Sequence, residues 1–181
     1  MSAGHGHIDP SNKKIALLIA VLALVLAFSE TLGKAAQTSA LSLNIEASNL
    51  WAFFQAKTIR QTVLRTAAEQ SSLTTPNDEA KKQIEAWRKT AQRYQTEPET
   101  GEGRDELMAR AKDAEKKRDR SMAAYHQYEL ASAAVQIAIV LASAAIVTGA
   151  MVLAWIGAGL GVVGVAFCLI GFLAPTAVHI F

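Results

Sequence analysis

The sequence predicts an all-α membrane protein: three transmembrane helices, with a long extramembrane antiparallel helical hairpin, coiled-coil-like, between the first and second spans. Three observations carry this expectation. Of the 34 charged residues (18 Lys/Arg and 16 Asp/Glu), 30 fall between Gly33 and Leu130. None falls in the 51 residues from Ala131 to Phe181. The charged middle shows helical periodicity, with few breakers, rather than strand alternation. A core helix of a water-soluble domain needs polar residues on its outer face. The uncharged C-terminal stretch has no such face, so it belongs in lipid.

Residues 1–13 read as an N-terminal tail, and 14–32 as the first span. Its apolar run, Ile15 to Phe28, follows Lys13 and Lys14 and covers 14 residues. That anatomy also fits a secretory signal, with Thr38-Ser39-Ala40 as a small-residue cleavage site. The reading adopted is an uncleaved anchor continuing through Ser29, Glu30 and Thr31 to Leu32. Toward the C-terminus, 131–149 and 151–174 form the second and third spans. Each reaches across roughly 30 Å of hydrocarbon at about 1.5 Å per residue. One continuous helix would be about twice too long, which makes Thr148-Gly149-Ala150 a tight reversal. Residues 175–181, opening with Pro175, form the C-terminal tail.

Between the first two spans lies the extramembrane segment, 33–130, with breaks near 73–77 and 97–103. Gly33 to Ser72 reads as one helix with two apolar stripes on its wheel. Leu41, Ile45, Ala52, Ala56, Ile59 and Val63 share one side, and their small and β-branched side chains suit a close seam with a partner helix. Leu43, Ala47, Leu50, Trp51 and Phe54 occupy roughly the opposite side. Thr75 is expected to cap the next helix, with Pro76 in its first position and Asp78 and Glu79 at the positive end of the dipole. Ile84, Trp87, Ala91 and Tyr94 follow at helical spacing. Glu97 to Gly103 breaks the chain again, and a last helix runs from Arg104 into the second span. The first helix leaves the membrane and the last returns to it, so the middle and last pieces together form one interrupted returning arm. Trp51 is 19 residues beyond Leu32, about 28 Å along a straight helix, too far for a headgroup-level aromatic belt. The hairpin partner covers one stripe. Leu43, Leu50, Trp51 and Phe54 are therefore expected to contact another copy of the chain; the alternatives are a different membrane protein as partner, or a bent hairpin that buries both stripes itself.

Two stretches carry a family resemblance. "ASNLWAFFQAKTIRQ" (47–61) and "ELASAAVQIAIVLASAAIVT" (129–148), backed by "GLGVVGVAFCLIGFL" (159–173) and the middle "EPETGEGRDELMARAKDAE" (97–115), resemble the bacterial membrane proteins grouped as domain of unknown function 4337. The resemblance runs from about Lys13 to Leu173. It implies an anchor, a helical extramembrane segment and a two-span hairpin, and it brings no activity, substrate or catalytic residue. Basic residues are frequent in that family's last turn, whereas this chain has Thr148-Gly149-Ala150.

The remaining motifs favour plain structural roles. Gly159-Leu160-Gly161-Val162-Val163-Gly164 has dinucleotide-fingerprint spacing, but it lies mid-span with no strand before it. Gly157, Gly161 and Gly164 instead read as small residues for packing between spans, with Gln136 as an interhelical hydrogen-bonding group. His5, His7 and Asp9 are too few for a closed metal site without distant partners. His126, beside Tyr125 and Tyr128, reads as a membrane-proximal polar residue. The Lys and Glu residues from Asp78 to Arg120 read as a solvated helical face. Glu30 is the one residue suited to an ion path, and a lone carboxylate near a span end is by default solvated. No catalytic constellation and no cofactor motif is present, and a net charge of +2 gives no case for nucleic acid.

Lys13 and Lys14 before the first span, against Lys34 after it, favour a cytoplasmic N-terminus and a periplasmic hairpin in a bacterial inner membrane. The expected function is a non-enzymatic, self-associating scaffold or assembly module in the lipid bilayer of the envelope. The alternative is a small oligomeric pore or transport-accessory subunit.

Overall fold

A computed structural model describes residues 10–177, and its order is α1 (Pro10–Ser72), α2 (Asp78–Gln95), α3 (Arg104–Thr148) and α4 (Met151–Leu173). The described residues are all-helical. The expected tail residues His5, His7 and Asp9 lie outside them, as does His179. Helices α1, α3 and α4 each contain a stretch long and apolar enough to cross a membrane. Two compact units divide the chain. One comprises residues up to Ala40 with those from Asp119 onward; the other is Leu41–Arg118.

The first unit is built on a row of small residues along α3. Ala131, Val135, Ala138 and Ala142 have no exposed surface, and Ala145 follows at the same three-four rhythm. Such a row lets neighbouring backbones come close, which drives association where lipid removes the hydrophobic incentive. Ile15 packs with Ala142, Ala145 and Ala154, and Leu22 packs with Val135 and Ala138. The outside is the inverse of a soluble protein. Leu17, Leu24, Phe28, Val140, Trp155 and Phe172 are all exposed. Apolar surface on that scale is stable in hydrocarbon and not in water. At the turn, α3 ends on Thr148 and Gly149 adopts φ 72°, with its N–H donating to the Ala145 carbonyl at 3.0 Å. This left-handed position, open to glycine without steric cost, closes α3 before α4 starts two residues later.

In the second unit, α1 finds its partners in reverse chain order. Asn44 accepts a hydrogen bond from Arg118, Trp51 donates to Glu115, and Gln61 contacts Arg104 together with Ala91. The α2 cap differs from the expectation. Asn77, not Thr75, accepts from the Ala80 N–H at 2.8 Å, and the helix begins at Asp78 rather than at Pro76. Asparagine is the stronger cap, and its carbonyl reaches the third helical amide. Pro76 lies outside the helix.

The α1 stripes are exchanged relative to the sequence reading. Ala47 and Leu50 are buried in a core with Leu107, Ala111 and Ala114, and Trp51 and Phe54 pack against it. Leu41, Ile45, Ile59 and Val63, the expected seam, are instead 60–65% exposed. The bulky face is the one that packs because α3 opposes it with alanines, so large and small side chains interdigitate. Trp51 can be enclosed because its indole N–H donates to Glu115 Oε1 at 2.8 Å, which meets the polar requirement of burying it.

Candidate functional site

Side chains from two distant stretches, Lys57 and Gln61 of α1 and Arg104 of α3, converge where α2 ends and α3 starts. Lys57 is 5% exposed, with its ammonium 3.5 Å from Glu97 and 3.8 Å from Glu102. It also lies over the rings of Phe53 and Tyr94, at 5.4 and 5.2 Å. One helical turn on, Gln61 is equally buried. Its amide donates to the Ala91 carbonyl at 2.9 Å and to Gln95 Oε1 at 3.1 Å. Arg104, the first residue of α3, donates from one Nη1 to Gln61 Oε1 at 2.6 Å and to Gln95 Oε1 at 2.9 Å. Its guanidinium is 5.0 Å above the Phe54 ring.

The segment between α2 and α3 is tied by its own bonds. Gln95 and Thr96 each donate to a different oxygen of Asp105. Buried Gly103 leaves no room for a side chain: a Cβ there would meet Glu106 Oε2, the Glu97 nitrogen and, at 2.9 Å, the Thr96 Cα. These bonds hold a helical joint in place, and the buried Arg104 Nε is left without a hydrogen-bond partner among the described residues. The cluster's cations are each matched by carboxylate, amide oxygen or ring. Among the described residues no group of three His, Cys, Asp or Glu is placed to hold a metal ion.

This corrects the reading of the 78–120 charges as a solvated face, since Glu97 and Arg104 are partly buried and bonded. Sequence reasoning missed Lys57, Gln61 and Arg104 as a set. The available signal was Lys57 and Gln61 at a four-residue spacing, on the same side as Leu50 and Phe54. A lysine on a packing face requires a buried partner.

Leu43, Leu50, Trp51 and Phe54 are part of this same architecture. Trp51 and Phe54 meet edge to face, 5.4 Å between centroids and 85° between planes. Leu50 is buried and Leu43 half-buried. The chain's own α3 packs against Leu50, Trp51 and Phe54 through Leu107, Ala111 and Ala114. The uncovered feature of this unit is the opposite face of α1.

A family model described as Domain of unknown function (DUF4337) matches residues 11–174. The chain belongs to the DUF4337 family. The stretches 47–61 and 129–148 fall inside the matched range. No curated protein and no solved structure matches it.

Within the first unit of this DUF4337 chain, the glycines of α4 meet its own neighbours. A Cβ at Gly157 would lie 2.8 Å from the Ala138 carbonyl oxygen, and one at Gly164 would strike Val135 Cγ2. At Gly161 it would lie 2.5 Å from Leu22 Cδ2. Gly157 and Gly164 therefore seat α3, and Gly161 seats α1. Gln136 does reach another helix: its amide donates to Glu30 Oε1 at 3.3 Å. Both residues are exposed on the unit's surface. The Gly159-to-Gly164 spacing lies wholly inside α4, without the strand and turn that phosphate binding needs. His126 is exposed, 3.8 Å from Glu129 and 5.5 Å from the Tyr125 ring.

Proposed function

We propose that this DUF4337 protein is a non-enzymatic, self-associating scaffold of the bacterial inner membrane. In this reading the three apolar stretches cross the bilayer, with the N-terminus cytoplasmic. The residues between the first two crossings fold back as an antiparallel hairpin, α1 outward and α2–α3 inward, on the periplasmic side. The reversed order of contacts along α1 supports the hairpin, and Lys13 and Lys14 support the orientation.

The observation that carries the function is the α1 face bearing Leu41, Ile45, Ile59 and Val63. These are large apolar side chains, exposed on a unit outside the expected spans. Aligned apolar residues on a water-facing helix mark a contact surface. The polar clusters, by contrast, are consumed in holding the joint.

Native mass spectrometry of the nanodisc-embedded protein tests the reading. Wild type is expected at a whole multiple, above one, of the 19.4 kDa chain. Ile45→Asp with Ile59→Asp, both on the exposed face and away from the core, should return it to single-chain mass. A wild type that is a single chain would overturn the proposal.

A second reading, a pore or transport-accessory subunit, has one observation in its favour, the Gln136–Glu30 hydrogen bond within the spans. Both side chains are on the outside of the unit, so any path would have to be enclosed between copies.

A further inference from the structure

We infer that the exposed face of α1 pairs with the same face of a second copy, in parallel and in register, as a coiled-coil seam of eleven-residue period. The inference rests on the self-association proposed above and specifies its surface, its partner and its direction.

The period comes from the residues. Leu41, Ala52 and Val63 stand eleven apart, as do Ile45 and Ala56, and Ser48 and Ile59. Eleven residues over three turns is 3.67 per turn, close to the 3.6 of an unstrained helix. A straight α1 therefore keeps this row on one side along the whole unit, whereas a seven-residue row would drift and need left-handed coiling. Leu41, Ala52, Ile59 and Val63 are exposed, and Ala56 is half-exposed. The central alanines let two backbones approach, and the leucine, isoleucines and valine supply apolar area on either side of them.

The absence of charge on the row permits a second copy in parallel as the occupant, and a shared orientation in one bilayer favours it. In an in-register pair every residue meets its own counterpart, so any charge on the row would meet a like charge. Between Leu41 and Val63 the charged residues of α1 are Glu46, Lys57 and Arg60. Lys57 is buried among its own chain's carboxylates and rings. Glu46 and Arg60 stand about 120° and 80° around the helix from the row's centre, at 100° per residue. The row carries no charge of either sign. A face built for an acidic or basic partner would carry the complement. This one is compatible with itself. Two copies held in one bilayer in the same orientation also present the row at the same height, which fixes the register without further contacts.

Site-specific disulfide formation tests this directly, because the chain has a single cysteine, Cys168. In full-length protein carrying Cys168→Ser, single cysteines are placed by Ile45→Cys and Ile59→Cys on the row and by Glu46→Cys off it. All three positions are exposed, so the core is untouched. After oxidation in native membranes, Ile45→Cys and Ile59→Cys are expected to shift to twice 19.4 kDa on a denaturing gel, with Glu46→Cys remaining at 19.4 kDa. Equal crosslinking at all three positions, or at position 46 alone, overturns the seam. Crosslinking only between co-expressed Ile45→Cys and Ile59→Cys chains, and in neither alone, overturns the parallel register. A multimeric wild-type mass with no crosslink at 45 or 59 removes this inference and leaves the self-association standing. A single-chain wild-type mass removes both.

Discussion

At Gln61 one side chain receives a bond from α3 and makes bonds to the end of α2, so three helical segments depend on one amide. Its replacement by an apolar side chain of similar length isolates a polar deficit from a packing deficit. Gln61→Leu keeps most of the volume, removes the extra side-chain bond on the Ala91 carbonyl and strands one Arg104 donor. A buried group left without its partner costs about 1–3 kcal/mol. The expected result is backbone hydrogen exchange roughly five- to two-hundredfold faster between residues 91 and 106, with the α4 amides unchanged. Gln55→Leu, exposed on the same helix, should leave exchange within a factor of about two. Equal protection in both variants would mean that the joint is held by Asp105, Glu106 and Gly103, without the Gln61 amide. Lys57 obeys the same logic with a charge. Its ammonium is enclosed between two carboxylates and two rings, and it stays buried only while all of these remain in place.

Packing between whole helices is decided by where a side chain can be added. Gly157 and Gly159 stand two residues apart on α4, yet a Cβ at Gly157 would press on the Ala138 backbone at 2.8 Å, whereas one at Gly159 meets nothing within 4 Å. Backbone cannot yield as a flexible side-chain tip can, so Gly157→Val should force α3 and α4 apart at a cost of about 1–3 kcal/mol. Gly159→Ala should be neutral, or stabilise by up to about 1 kcal/mol through helix propensity. Thermal unfolding in detergent, followed by loss of helix signal, distinguishes them: a lower midpoint for Gly157→Val and none for Gly159→Ala. Equal midpoints would show that α3 and α4 are not seated by this contact. The element pattern itself was legible in the sequence. The charge gap, the breaks near 73–77 and 97–103, and Gly149 all follow from local chemistry that the chain carries openly. The pairing of faces was not. A helical wheel separates two apolar stripes of α1, but which one is covered depends on the opposing surface. Ala111 and Ala114 offer space that only bulky residues fill, and Glu115 offers the acceptor that Trp51 needs. Neither fact is visible from α1 alone. Lys57, Gln61 and Arg104 were illegible for the same reason, being 43 and 47 positions apart in the chain and joined only by the way α2 and α3 meet.

For the whole molecule, the question is whether assembled copies hold a structure together or enclose a path for ions. Glu30 decides between these, because it is the carboxylate within the expected spans and its observed partner is the amide of Gln136. A conducting path needs charge or polar groups facing an aqueous lumen at successive depths. The lining that α3 offers between Ala131 and Ala145 is a buried apolar row already occupied by α1 and α4. Under the scaffold reading, Glu30 serves as a hydrogen-bond acceptor near one end of the span. Glu30→Gln preserves an oxygen that can accept from Gln136 and removes only the charge. The expected outcome is an unchanged particle mass in nanodiscs and, in proteoliposomes, ion permeability equal to that of wild type and of protein-free vesicles. A wild-type conductance that Glu30→Gln lowers, at unchanged particle mass, would show that the carboxylate faces a water-filled path and would replace the scaffold by the pore. Matching low permeability in all three leaves assembly through α1 as the property that the exposed apolar surface supports.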